Sequence, residues 1–273
     1  MNQMHSGHTQ TATQGMPELA ARTSDPGLTG EVVSSMHTQT EGSAFFHWPS
    51  HLRLWLLAFG GLGLDLWSKN WAFSQIDPVK GMDAIPKLLR FERMLNTGAL
   101  FGLGKGWTPL FIAASFLALG FVLFLFCQSS PRRRSLHVAL ACVLAGAVGN
   151  LYDRAFAIAD VVHYTRSGME QTAVGKITTD NEREIVVNHW PDGPRSATIS
   201  KEWNPRVSEQ GVVRDFLKLR LGPLNIWPWI FNVADILLVV GVALLLLNFH
   251  WDRRAEKAEQ AAKLENASAD TPG

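Results

Sequence analysis

The sequence predicts an all-α membrane protein, with four transmembrane helices carrying an extracytoplasmic, partly β, loop subdomain. Three observations predict it. The 273-residue chain is only 47% hydrophobic, with a net charge of +1, yet its apolar residues are gathered into four blocks. The blocks cover about 52–72, 107–127, 135–153 and 228–250. A bilayer core about 30 Å thick needs on the order of 20 mostly apolar residues per helix, which the second and fourth blocks supply outright. No soluble-sheet pattern runs through the chain to compete with this reading.

Taken in order, residues 1–48 are rich in Thr, Ser, Gln, Gly and His and show no apolar periodicity. Such a segment cannot bury enough surface to offset its ordering entropy, so it reads as a disordered cytoplasmic tail. It does not read as a signal peptide, because the first apolar run begins only near residue 52. A four-span domain over 49–251 follows. Its second and third spans are joined by a short loop, QSSPRRRS, holding Arg132, Arg133 and Arg134 without an acid. Positive residues in short loops stay cytoplasmic, which places both termini inside. The first outer loop, 73–106, also carries basic residues, but the compact triple arginine outweighs it.

The second outer segment is long and contains strand-like stretches, EIVVN at 184–188 and ATIS at 197–200. A loop of that length rarely lacks structure of its own. Residues 252–273 read as a cytoplasmic C-terminal tail, helical at its start where Ala, Glu and Lys dominate.

The near-zero net charge does not suggest a nucleic-acid partner, and none is expected. Cys127 and Cys142 lie in apolar blocks and read as small buried hydrophobes. No HExxH and no paired His and Cys at ligand spacing is present, so no metal and no cofactor is expected.

Ionisable groups in a span cost several kcal/mol unless paired or hydrated, which makes them functional candidates. Asp65 and Lys69 (LDLWSK) are four apart on one helix face and could pair. Asn96 lies in NTGALFGLG, between the first two spans. Asn150, Asp153 and Arg154 (GNLYDR) close the third span, and Asn232 with Asp235 (FNVAD) opens the fourth. Asp235 also suits a helix N-terminus on dipole grounds alone. Asp215 sits in an apolar, strand-like VVRDF, twenty residues before Asp235.

In this order, LDLWSK, NTGALF, GNLYDR, VVRDF and FNVAD resemble the lipoprotein signal peptidase family, the membrane aspartyl peptidases also called signal peptidase II. The resemblance implies an aspartic endopeptidase of the bacterial inner membrane. Its partners would be diacylglyceryl-modified prolipoproteins and membrane lipid, and it would cut before the lipidated cysteine near the outer face. It further implies a catalytic pair at Asp215 and Asp235 and pocket residues at Asn96, Asn150, Arg154 and Asn232. Asp65, Lys69 and Asp153 would have supporting roles.

One departure from the family pattern is plain. The first catalytic aspartate usually follows the Asp-Arg pair closely, whereas Asp215 lies 61 residues beyond Arg154. Asp160, in IADVVHY, is the nearer rival. Asp215 is preferred because VVRDF keeps the Asp-Phe pair, and an inserted segment over about 160–210 accounts for the gap. Loop-closure cost grows slowly enough with length to tolerate it. Two other readings compete: a proton- or cation-coupled transporter or channel using the intramembrane acids, and a membrane scaffold presenting the inserted segment.

Overall fold

A computed structural model of the protein describes residues 42–98, 108–220 and 229–269. The predicted tail up to residue 41, the continuation of the Asn96 motif over 99–107 and the last residues of the C-terminal tail lie outside the described residues. Four helices carry the framework: α1 (Trp48–Gln75), α2 (Thr108–Gln128), α3 (Arg134–Phe156) and α4 (Val233–Ala269). A proline in its first turn, where a missing N–H costs nothing, opens α1. Helix α3 packs against the other three, and Ala139, Leu140 and Ala141 on it are fully buried.

Small residues permit that packing. A side chain at Gly149 would place its Cβ 2.4 Å from Asp65 Oδ2, inside any allowed contact. Gly149→Ala is therefore expected to destabilise the protein by about 1–3 kcal/mol, the usual cost of overpacking. Thermal unfolding in detergent checks it, and an unchanged midpoint would contradict the close approach.

Among the described residues, two helices are long and apolar enough to cross a membrane, Arg134–Phe156 and Val233–Leu264, and a shorter apolar helix covers Ile112–Gln128. Helix α1 carries more polar residues. Large apolar side chains nevertheless point outward from three helices, among them Phe59 and Trp67, Leu117 and Phe121, and Val239 and Leu246. A belt of that kind needs an apolar solvent.

The expectation of an all-α protein is overturned. Nine strands form two antiparallel sheets in the described residues. The first holds β1 (Met82–Ile85), β2 (Leu89–Asn96), β8 (Val213–Leu219) and β9 (Ile230–Phe231), in that order. The second runs β6 (Arg195–Ser200), β5 (Glu184–Asn188), β4 (Met169–Asp180), β3 (Ile158–Arg166) and β7 (Arg206–Gly211). The reason is backbone satisfaction. Long connections cannot leave buried N–H and C=O groups unpaired, and these segments lack the apolar density of the spans.

The second sheet has a core of its own, built on Val162, Ile185, Val187 and Ile199. Its two chain ends meet: Ile158 pairs with Gly211, and Val212 N–H donates to Ala157 O at 2.9 Å. Only glycine fits at 211, where a Cβ would sit 1.9 Å from the Arg154 carbonyl oxygen. The β5–β6 connection ties this sheet to the bundle. The Trp190 ring meets Phe73 of α1 edge-on at 6.0 Å, its indole N–H donates to Ile158 O at 2.9 Å, and Arg93 donates to its carbonyl.

Candidate active site

After β7 the chain leaves the second sheet, and β8 joins the first, pairing with β2 so that Met94 faces Asp215 and Asn96 faces Val213. This pairing brings two sequence motifs together. Asn96 Nδ2 donates to Asp215 Oδ2 at 3.0 Å, while its Oδ1 accepts the Gly98 N–H at 2.9 Å. Strand alternation fixes what else β8 offers. Val213 and Asp215 face one side; Arg214 and Phe216 face the other, where Phe216 packs on Ala72, Phe73 and Ile76 of α1.

The second aspartate arrives on α4. Asn232 precedes that helix and Asp235 lies in its first turn, and the two cap each other. Asn232 N–H donates to Asp235 Oδ2 at 3.2 Å, and Asp235 N–H donates to Asn232 Oδ1 at 3.0 Å. This reciprocal box satisfies orphan donors of the helix start. Asn232 Nδ2 then reaches across to Asp215 Oδ1 at 2.6 Å and to Asn150 Oδ1 at 3.2 Å. Asn150, in the last two turns of α3, donates to Asp235 Oδ1 at 2.9 Å. Three asparagine amides thus hold four carboxylate oxygens in one cluster, together with one backbone N–H.

Asp215 is 1% exposed, whereas Asp235 is half-buried. Burial, and after it the neighbouring Asp235 carboxyl, raises Asp215 well above the ordinary carboxylate range. Asp235 opens onto a cleft of about 230 Å³ between α2, α3 and α4. Small residues, Ala114, Ser115, Ala118 and Ala147, line much of it, with Asn96, Asn150 and Arg154 at its polar end. Arg154 spans the rim, donating to the carbonyl oxygens of Gly98 at 2.9 Å and Asn150 at 3.4 Å.

The supporting residues lie directly behind this cluster. Lys69, fully buried, touches Asp65 at 2.8 Å, Asp153 at 3.3 Å and Asn150 Oδ1 at 3.1 Å. Asp65 Oδ1 accepts the Ala234 N–H at 2.8 Å, which fastens α1 to the start of α4. Asp153 is taken up by Arg214, a residue the sequence reading passed over. An arginine between Val-Val and Asp-Phe in an apolar strand was the available signal. Asn70, which accepts from Arg214 Nη1 at 2.5 Å, carried none.

Asp160 is placed elsewhere. It stands in β3 of the second sheet, where Oδ2 accepts the Ile177 N–H at 2.7 Å. Among the described residues no group of three or more His, Cys, Asp or Glu side chains is gathered as a metal site. The cluster can therefore offer two adjacent carboxyls, amide donors around them and a guanidinium at the rim of an apolar cleft.

Comparison with known proteins gives this geometry a context. The family described as Signal peptidase (SPase) II matches residues 57–251. The lipoprotein signal peptidase of Rhodopirellula baltica is 29% identical over 226 residues, covering 80% of each chain. That of Alteromonas mediterranea is 25% identical over 222 residues, covering 80% of this chain and 91% of its own. A solved structure described as a bacterial membrane enzyme, obtained in meso at 2.3 Å, superposes with a TM-score of 0.51. It covers 76% of this chain and 91% of its own at 19% identity, a likeness of fold.

Proposed function

The chain belongs to the signal peptidase II family, and from that premise we propose that Asp215 and Asp235 form its catalytic dyad. It is a membrane peptidase that removes signal peptides from prolipoproteins. The observation that carries the dyad is Asn232, whose side chain and backbone touch both carboxyls at once. Two carboxyls held that close ionise one at a time and share a proton.

With a peptide in the cleft, the ionised member takes a proton from water as the oxygen attacks the scissile carbonyl. The protonated member donates to the carbonyl oxygen, and the roles exchange when the amine leaves. Asn96, Asn150 and Asn232 orient the carboxyls without adding charge. The resting proton belongs to the pair rather than to either residue. Arg154, at the rim, is suited to a substrate carbonyl. The small side chains of the cleft wall suit an extended peptide with small residues beside the cut.

The finer reading is that the substrate is diacylglyceryl-modified and is cut before its lipidated cysteine. The cleft supports it, because it opens between α2 and α4, whose outer faces are apolar and suited to acyl chains. With Arg132–Arg134 inside, four spans put this end of the bundle at the outer face of the inner membrane. Residues 158–211 then stand as an insertion outside the membrane, entering and leaving at one point. A transport path has no comparable support, since Asp65 and Asp153 are paired with Lys69 and Arg214.

Purified protein in proteoliposomes should shorten a diacylated prolipoprotein and leave its unmodified precursor uncut; equal cutting of both would remove the lipid requirement. Asp160→Asn should leave the rate unchanged, and a dead Asp160→Asn enzyme would transfer the first catalytic role to it. The rate should also follow a bell in pH. Its alkaline limb lies above the ordinary carboxylate range, because burial and the like charge beside Asp215 make the pair hold its shared proton more tightly. The folded chain holds that proton more tightly than the unfolded chain, so this group's contribution to stability declines as pH rises through the same window.

A further inference from the structure

We propose that Arg214 is a positioning residue, which sets the register of Asp215 and its separation from Asp235 through a buried chain of alternating charges. The proposal rests on the reading of those two aspartates as the dyad. Arg214 is 7% exposed, between Val213 and Asp215 in β8. Its guanidinium grips Asp153 Oδ1 through Nη2 at 2.7 Å and Nε at 3.1 Å, and its own backbone N–H donates to Asp153 Oδ2 at 2.9 Å. One carboxylate therefore holds both the side chain and the main chain of the residue immediately before Asp215.

Asp153 is also bound to Lys69, Lys69 to Asp65, and Asp65 to the Ala234 N–H. Asp153, Lys69 and Asp65 are all 0% exposed. Ala234 is the residue immediately before Asp235. The chain Arg214–Asp153–Lys69–Asp65 thus begins at the residue before one aspartate and ends at the residue before the other. Its charges alternate and cancel, so each member is neutralised by its neighbours. Away from water such a chain is stiff, because lengthening any contact uncovers a charge.

The geometry of β8 makes this decisive for the site. Side chains alternate along a strand, so a slip of one residue would turn Asp215 away from Asn232 and put Arg214 there. At the start of β8 the apolar side chains do not mark the register, since valine occupies both 212 and 213. Phe216, packed on α1, favours the correct register, and Arg214 adds a planar, two-pronged cation that binds Asp153 and Asn70 only in that register.

The test compares full-length Arg214→Met, Arg214→Lys, Asp215→Asn and Asp235→Asn proteins in proteoliposomes with a diacylated prolipoprotein. A misplacement of about 1 Å can cost roughly 100-fold in rate, so Arg214→Met should lower kcat by roughly 10–100-fold with KM little changed. The bell of kcat against pH should also narrow, because carboxyls held farther apart influence each other less. Lys69 and Arg154, the charged groups nearest the pair, are unchanged in these variants. Arg214→Lys keeps the charge but lacks the fork and should fall between wild type and Arg214→Met. It is read on the same two axes if Arg214→Met fails to fold.

A lowered melting temperature with kcat and bell width of the folded enzyme unchanged would assign Arg214 a structural role only and overturn the proposal. Inactive Asp215→Asn and Asp235→Asn enzymes beside normal Arg214 variants would overturn the positioning role and leave the dyad standing. Active aspartate variants would remove the dyad itself, and the proposal with it.

Discussion

Replacing either proposed catalytic aspartate, Asp215→Asn or Asp235→Asn, should abolish prolipoprotein cleavage while leaving the protein folded. A positioned acid or base contributes roughly 10²–10⁴-fold, and the asparagine amide can neither take the proton from water nor return it. The loss should appear in kcat, since the cleft lining is unchanged apart from one oxygen. Folding should survive for a physical reason. Asp215 is held by amide donors from Asn96 and Asn232, and an asparagine there keeps one carbonyl oxygen as an acceptor. Asp235→Asn likewise retains an acceptor for the Asn232 N–H that closes the cap at the start of α4. Gel-shift cleavage with melting curves recorded side by side checks both statements. Residual activity within tenfold of wild type in either variant would sink the dyad assignment.

Lys69→Met should produce a large loss of stability. Lys69 is fully buried and lies between Asp65 and Asp153, in contact with both. Methionine fills a similar volume but leaves Asp65 facing α4 without its counter-charge. Removing one partner from a buried ion pair costs about 3–5 kcal/mol, because the remaining charge is stranded. The loss should also reach the site, since Lys69 donates to the Asn150 oxygen that helps aim Asn150 at Asp235. Denaturation in detergent measures the first effect, and cleavage by the fraction that remains folded measures the second. Wild-type stability in Lys69→Met would mean that the two aspartates find other partners, contrary to the geometry described.

The helices were legible in the sequence because apolar density is a local property, summed along about 20 residues at a time. The sheets were legible only in part. EIVVN and ATIS showed as strand-like, and they are β5 and part of β6. The hairpin β1–β2 was read as plain loop, since the alternation of Leu89-Arg90-Phe91-Glu92 is short and breaks at Arg93, among charged residues. Its strand character depends on a partner, β8, whose hydrogen-bonded residues lie more than a hundred positions away. That dependence is why the all-α expectation failed.

The candidate site divides along the same line. Asp65, Asn150, Asp153, Asn232 and Asp235 stood out as polar groups at span ends, which are costly and few, whereas Asn96, Asp215 and the roles of all of them rested on the family resemblance. The sequence by itself determined the helical blocks, the family resemblance and this short list. It also raised the choice between Asp160 and Asp215 without the means to weigh distance in space. The tertiary structure decided which of these residues meet: β8 pairs with β2 and carries Asp215 to Asn96, while Asp160 stays in the other sheet. It also decided the place of Arg214, which spacing along the chain could not suggest. The physical reason is that hydropathy and capping act between near neighbours, whereas strand pairing and buried charge networks join residues whose separation in sequence carries no signal.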